Sequence, residues 1–212
     1  MKNTLKGLSA AVLATTLIAP TAQAEISGNV AIQSDYVWRG ISQNSEDPSI
    51  QGGFDYEHDS GFYAGVWGAS VDFGGSETTE GDLYFGFAGE TESGIGYDVG
   101  FIEYTYWGGE GASDSNFTEY YIGASYAGFG LTYSIGDEFD DLIEASYSYD
   151  FEKFSLGVVY GDYDTYSYYS LGVSGDLAET GLGWDVSFWG TNDLDGFDEA
   201  DDRLVLTISK SL

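Results

Sequence analysis

Along most of this 212-residue chain, apolar positions alternate with small or polar ones at a period of two. In 129–135, Phe129, Leu131, Tyr133 and Ile135 alternate with Gly130, Thr132 and Ser134. In 154–161, Phe154, Leu156, Val158 and Tyr160 alternate with Ser155, Gly157 and Gly161. In 182–189, Leu182, Trp184, Val186 and Phe188 alternate with Gly183, Asp185 and Ser187. Such alternation is the signature of a β-strand whose two faces meet unlike surroundings. Read throughout, it predicts twelve strands, at 26–40, 50–58, 61–73, 82–90, 95–107, 117–126, 129–136, 142–150, 154–163, 166–176, 182–191 and 203–212. The span 95–107 is imperfect: Glu103 falls on the face of Ile95, Val99 and Phe101, where a β-bulge would shift the register.

The connections alternate in kind. Short ones (58–61, 91–94, 127–128, 151–153, 177–181) take turns with longer or more acidic ones (41–49, 74–81, 108–116, 137–141, 162–165, 192–202). This is the rhythm of an up-and-down antiparallel meander. Pro48 falls in one of the longer loops, clear of strands that need every N–H.

A soluble sandwich would also alternate, but two features favour a closed transmembrane barrel. The apolar face is aromatic near strand ends, as at Tyr36 and Trp38, Tyr63 and Phe73, Tyr97 and Trp107, Tyr147 and Tyr149, and Trp184 and Phe188. Interfacial aromatic girdles have this form. The opposite face is Gly, Ser, Thr and Asp with almost no Lys, which suits a lumen better than a soluble exterior. The fold expected is therefore an all-β, up-and-down antiparallel β-barrel of twelve strands, with both termini on one side. Inward Gly, Ser and Ala leave space, whereas inward Tyr84, Tyr104, Tyr121 and Tyr168 fill it.

The N-terminus is set apart. Lys2 and Lys6 precede an apolar run from Leu8 to Ala19, then Pro20 and Ala22-Gln23-Ala24 before Glu25. This is the plan of a secretory signal peptide over 1–24, leaving 25–212 as the barrel. Beyond it only Arg39, Lys153, Arg203 and Lys210 are basic, against 36 acids. So acidic a chain does not offer the Lys and Arg that phosphate demands, which excludes nucleic-acid binding as its business. With no Cys, thiolate chemistry and disulfides are excluded. An aromatic content of 17% argues against the disorder that acidity alone would suggest.

Parity places candidate chemistry in the lumen. If Tyr36 and Trp38 face lipid, Asp35 and Arg39 face inward, and Arg39 becomes the lone luminal cation, with Asp55, Glu57 or Asp72 as its neighbours. The same parity makes Asp35, Asp55, Glu57, Asp72, Asp82, Glu119, Glu144 and Asp185 pore-lining acids, and rings of carboxylates favour cations. Two alternatives stay open: the Asp35–Arg39 charges brace the wall rather than a pathway, and the acidity serves solubility. Asp193, Asp195 and Asp198 lie in a loop with some likeness to a Ca²⁺ loop, but its first and twelfth positions are Thr191 and Asp202 and no helices flank it. They make weak divalent-cation candidates and no more. Asp55, His58 and Ser60 are a hydrolase trio in name only, crowded across one tight turn. No catalytic residue and no cofactor is expected.

The run Ser34-Asp35-Tyr36-Val37-Trp38-Arg39-Gly40-Ile41-Ser42-Gln43 resembles the TorF-type porins of Gram-negative outer membranes, a largely uncharacterised family. The resemblance continues through Ile50-Gln51-Gly52-Gly53-Phe54-Asp55-Tyr56 and His58-Asp59-Ser60-Gly61-Phe62-Tyr63-Ala64-Gly65-Val66-Trp67. It implies an outer-membrane barrel with a presumed pore and no established substrate. Its partners would be outer-membrane lipid and lipopolysaccharide, the barrel assembly machinery, and small solutes or cations. The chain departs from outer-membrane barrels in ending on Leu212 rather than an aromatic residue. The function expected is passive diffusion of small solutes with a preference for cations; the alternative is a non-transporting structural or adhesive barrel.

Overall fold

A strand in lipid must pair along both edges, because hydrocarbon offers its N–H and C=O groups no partner. The computed structural model, which describes residues 25–138, 140–177, 180–194 and 197–212, meets that demand by closure. The strands are β1 (Glu25–Gln33), β2 (Val37–Trp38), β3 (Ile41–Ser42), β4 (Ser49–Glu57), β5 (Phe62–Ser70), β6 (Glu77–Glu90) and β7 (Gly96–Gly108). They continue with β8 (Phe117–Tyr126), β9 (Phe129–Gly136), β10 (Leu142–Asp150), β11 (Ser155–Tyr163), β12 (Ser167–Asp176), β13 (Leu182–Asn192) and β14 (Arg203–Ser211). All but β2 and β3 form one closed twelve-strand barrel in which neighbours in sequence are neighbours in space. β1 closes the ring, with Ile32 opposite Ile50 of β4 on one edge and Ile208 of β14 on the other. Every pairing between barrel strands is antiparallel, so the first strand begins and the last ends at the same rim, which also carries the tight turns.

The barrel is inside out relative to a soluble protein. Its outer face exposes Phe54, Ile122 and Leu204 at 60%, 60% and 68%, together with Val66, Phe85, Leu131, Val158 and Leu171. Its buried groups include Gln51, Glu80, Asp82, Glu119 and Asp185. An apolar surface this continuous is not tolerated in water but is what acyl chains require. Near the tight-turn rim, outward aromatics form contacting groups: Tyr56–Phe62–Phe87 at 6.4 and 5.4 Å, Phe129–Tyr147 at 4.5 Å, and Tyr149–Phe151–Phe154 at 4.8 and 4.6 Å.

Three expectations are corrected. The predicted strand 26–40 leaves the wall after Gln33, and Tyr36 and Trp38 do not face lipid: Tyr36 is buried inside the barrel at 3% exposure. The period of two persists there because β2 and β3 make a hairpin whose two faces also meet unlike surroundings. Tyr63 points inward and donates to Asp98 at 2.7 Å. No bulge intervenes at Glu103: pairing of β6 with β7 is unbroken from Glu90↔Gly96 to Thr79↔Trp107, and the only shift lies between Glu77 and Thr79. Glu103 therefore stands exposed on the outer face, opposite Leu83 and Thr118. The segment 1–24, expected to be a signal peptide, lies outside the described residues.

Candidate functional site

The segment between β1 and β4 belongs to the rim opposite the tight turns, yet it folds into the barrel. Its tip is a two-residue turn, Arg39-Gly40, joining Trp38 to its partner Ile41. Both residues have positive φ, 52° and 86°, as a type I′ hairpin turn requires. Gly40 has a second constraint, because a Cβ there would meet Thr191 Cγ2 at 2.6 Å and Tyr168 Cβ at 2.9 Å. The hairpin tip thus lies tightly against the β12–β13 wall. Above the tip, Tyr36 and Trp38 pack with Val71, Ile102, Tyr104, Tyr106 and Phe117, while Val37 packs with Leu142, Tyr163, Tyr168, Trp189 and Val205. One short hairpin therefore bridges two walls and fills that half of the lumen with a small core.

Two guanidinium groups fasten it. Arg39, on the hairpin, holds Glu119 of β8 through two bonds, Nη1 to Oε1 at 2.6 Å and Nη2 to Oε2 at 2.7 Å. Arg39 also donates to the Tyr163 hydroxyl of β11 and lies 4.2 Å from the Trp38 ring centre. Arg203, on β14, reaches the hairpin base and donates to Asp35 Oδ2 at 2.8 Å; Ser42 donates to the other oxygen at 2.7 Å. Arg203 lies 3.6 Å from Glu46 as well. A charge-assisted bidentate pair is the strongest hydrogen-bonding arrangement the side chains offer.

Several inward acids accept from tyrosine hydroxyls. Tyr84 donates to Asp55, Tyr63 to Asp98, Tyr168 to Glu144 at 2.5 Å, Tyr104 to Glu119 at 3.3 Å and Tyr36 to Glu80 at 3.3 Å. A phenol satisfies a carboxylate's hydrogen bond without cancelling its charge. That chemistry gives the inward tyrosines a role beyond filling space. Towards the tight-turn rim the inward face is small and polar, with Ser27, Asn29, Gly130, Thr132, Ser146 and Ser148 only partly covered or exposed. At the opposite mouth, the Thr118 backbone N–H donates to Asp137 at 2.7 Å and holds that carboxyl below its usual range.

The expected site residues divide accordingly. Asp35, Arg39, Asp55, Glu57, Glu119, Glu144 and Asp185 project to the barrel interior, but not with the neighbours expected. Arg39 meets Glu119 and Asp35 meets Arg203, rather than either meeting Asp55 or Glu57. Arg39 is not the lone inward cation, since Arg203 shares the interior. Asp72 is corrected: it follows the end of β5, is exposed at the mouth, and bridges the hairpin base through its backbone N–H to the Gln43 carbonyl at 2.9 Å. Asp193 and Asp198 are exposed, Asp195 lies outside the described residues, and among the described residues no three His, Asp or Glu side chains gather to hold a metal. His58 caps its own turn through Ser60, at 2.9 Å, while Asp55 turns inward to Tyr84. The sequence pattern does not single out Glu80 or Asp98, both buried in the structure. Glu-Thr-Thr-Glu-Gly at 77–81 carries no apolar beat, although its two threonines hinted that β6 begins at Glu77.

The sequence pattern of Gcw_chp, described as a bacterial protein of unknown function, matches residues 18–199. The chain belongs to this family. No curated protein matches it in sequence. Two solved structures of the KdgM porin, one of them in complex with disordered oligogalacturonate, superpose with a TM-score of 0.61 at 10% identity. The overlap covers 88% of this chain and 98% of the KdgM chain. At that identity the likeness is one of fold. This Gcw_chp member thus has the barrel of a porin. What these comparisons share with the resemblance at 34–67 is that barrel, not the TorF-type designation.

Proposed function

We propose that this protein is a bacterial outer-membrane channel of TorF type, through which small solutes diffuse passively and cations pass in preference to anions. The apolar belt supports a membrane position, and the signal-peptide pattern at 1–24 supports export. In this arrangement the tight turns face the periplasm and the hairpin-bearing mouth faces outward.

The carrying observation is the way the interior carboxylates are satisfied. Asp55, Asp98 and Glu144 are hydrogen-bonded by tyrosine hydroxyls, while the two inward arginines are committed to Glu119 and Asp35. A tyrosine hydroxyl brings no positive charge, so these three acids have no cationic hydrogen-bond partner among the described residues. A narrow, low-dielectric channel focuses the field of ionised carboxylates, concentrating cations and repelling anions. The KdgM structure holds oligogalacturonate, a polyanion. An acidic interior suits such a ligand poorly, so neutral or cationic small solutes fit better here.

The test is the reversal potential of purified barrel in a planar bilayer under a KCl gradient. Cation preference should grow as the Debye length lengthens from about 10 Å at 0.1 M salt to about 30 Å at 0.01 M. Asp55→Asn with Asp98→Asn should lower it. An anion-side potential in wild type would overturn the reading.

The packed hairpin favours a second reading, a closed barrel with a structural or adhesive role, since Tyr36, Val37 and Trp38 fill the outer half between both walls. Absence of channels from protein shown to be folded by heat-modifiable gel mobility would decide for it.

A further inference from the structure

Asp185 of β13 is the most anomalous polar group of the inner wall. It is 2% exposed, and neither carboxylate oxygen has a well-formed hydrogen bond. A buried carboxylate left so is strongly disfavoured unless it takes up a proton or something meets its charge. Asp55, Glu80, Asp98 and Glu144 have tyrosine donors and Asp35 and Glu119 have arginine donors, whereas Asp185 faces hydroxyls. Register places Ser174 of β12 directly opposite it on one side and Thr207 of β14 on the other, with Ser187 two residues along its own strand. Directly opposed side chains stand about 5 Å apart at Cβ. Thr207 is itself 2% exposed and its Oγ1 is likewise unpartnered. Ser187 accepts from the Trp189 indole at 3.1 Å, which fixes its oxygen on the inner face. Gly172, opposite Ser187, leaves the carboxylate its room: a Cβ there would lie 3.4 Å from Asp185 Oδ2.

We infer that Asp185, Thr207, Ser174 and Ser187 form an alkali-metal cation site in the lumen wall. One carboxylate supplies a single negative charge and the hydroxyls supply neutral oxygens. That donor set matches a singly charged hard cation. A Ca²⁺ site takes six to eight oxygens, several of them from carboxylates, and is not offered here. Burial excludes an organic ammonium, which needs more volume than a bare ion. The site deepens the channel reading by naming one place where a permeating Na⁺ or K⁺ rests, and it rests on that reading for its role but not for its existence.

The experiment therefore separates the two. Folded barrel in detergent is unfolded by urea in NaCl, KCl or choline chloride at equal ionic strength, and followed by gel mobility. Wild type should have a higher midpoint in NaCl or KCl than in choline chloride, because an ion bound only by the folded state stabilises it. Asp185→Asn and Thr207→Val, both close in shape to the residues replaced, should abolish that difference. Glu103→Gln, on the outer face, should keep it. An equal midpoint in all three salts for wild type, or an undiminished difference in both site variants, overturns the site whether or not the barrel conducts. Conversely, a barrel that never conducts but shows the ion-specific shift keeps the site and loses the channel.

Discussion

Arg39 and Glu119 are separated by 80 residues in sequence and meet inside the barrel as a bidentate pair at 2.6 and 2.7 Å. Arg39 reaches Glu119 from the tip of a hairpin turn, in a left-handed backbone conformation that costs a non-glycine residue roughly 1–2 kcal/mol. Such strain persists where surrounding contacts over-determine the geometry. Here those contacts are Glu119, the Tyr163 hydroxyl and the Trp38 ring. The pair therefore fastens the hairpin to the β8 wall.

Arg39→Ala leaves Glu119 buried with only the Tyr104 hydroxyl for company. Removing one partner of a buried pair costs about 3–5 kcal/mol. Urea unfolding should show a loss of that order for the single variant and a markedly smaller one for Arg39→Ala combined with Glu119→Ala. Single-channel conductance should rise and cation preference strengthen in Arg39→Ala. Unchanged conductance would show that the hairpin does not limit the passage.

Gly40→Ala meets both a positive φ of 86° and a Cβ contact of 2.6 Å with Thr191. Gly74 has a comparable φ of 73° but nothing within 4 Å of its Cβ. Gly74→Ala should therefore cost only the backbone strain, roughly 1–2 kcal/mol. Gly40→Ala should cost a further 1–3 kcal/mol or so from overpacking. Equal losses in a folding titration would mean that the hairpin tip is not seated on the β12–β13 wall.

On the outer face, Val158 and Glu103 test the same parity from opposite directions. Val158→Arg should cost roughly 2–4 kcal/mol near mid-membrane. Gly157→Arg, on the inner face opposite Ser148 and Gly172, should escape that membrane penalty. Glu103→Leu should stabilise the barrel in lipid by up to about 1 kcal/mol, because it removes a lipid-facing carboxylate. Destabilisation by Glu103→Leu would place Glu103 inward, on the far side of a bulge.

The barrel itself was legible in the chain because its cause is local. A strand between lipid and lumen must alternate, and the beat in β9, β11 and β13 states the face of every residue without reference to any other strand. Turn lengths then fixed the meander, and the placements of Asp55, Glu57, Glu119, Glu144 and Asp185 followed from counting. The family-specific run 34–43 was legible as something distinctive, but its parity misled. Alternation reports two unlike surroundings and cannot say what they are. In β2 they are two walls of one lumen, with Tyr36 and Trp38 on one side and Val37 on the other. Only closure of the sheet creates that interior, and only then is there a place for the hairpin to enter. The partners of Arg39 and Asp35 were beyond sequence reading for the same reason. Glu119 and Arg203 lie 80 and 168 residues away, and nothing local links a side chain to the strand that happens to face it across a closed ring. In most wall strands the period determined which residues turn inward; the circumference of the barrel decided which of them meet.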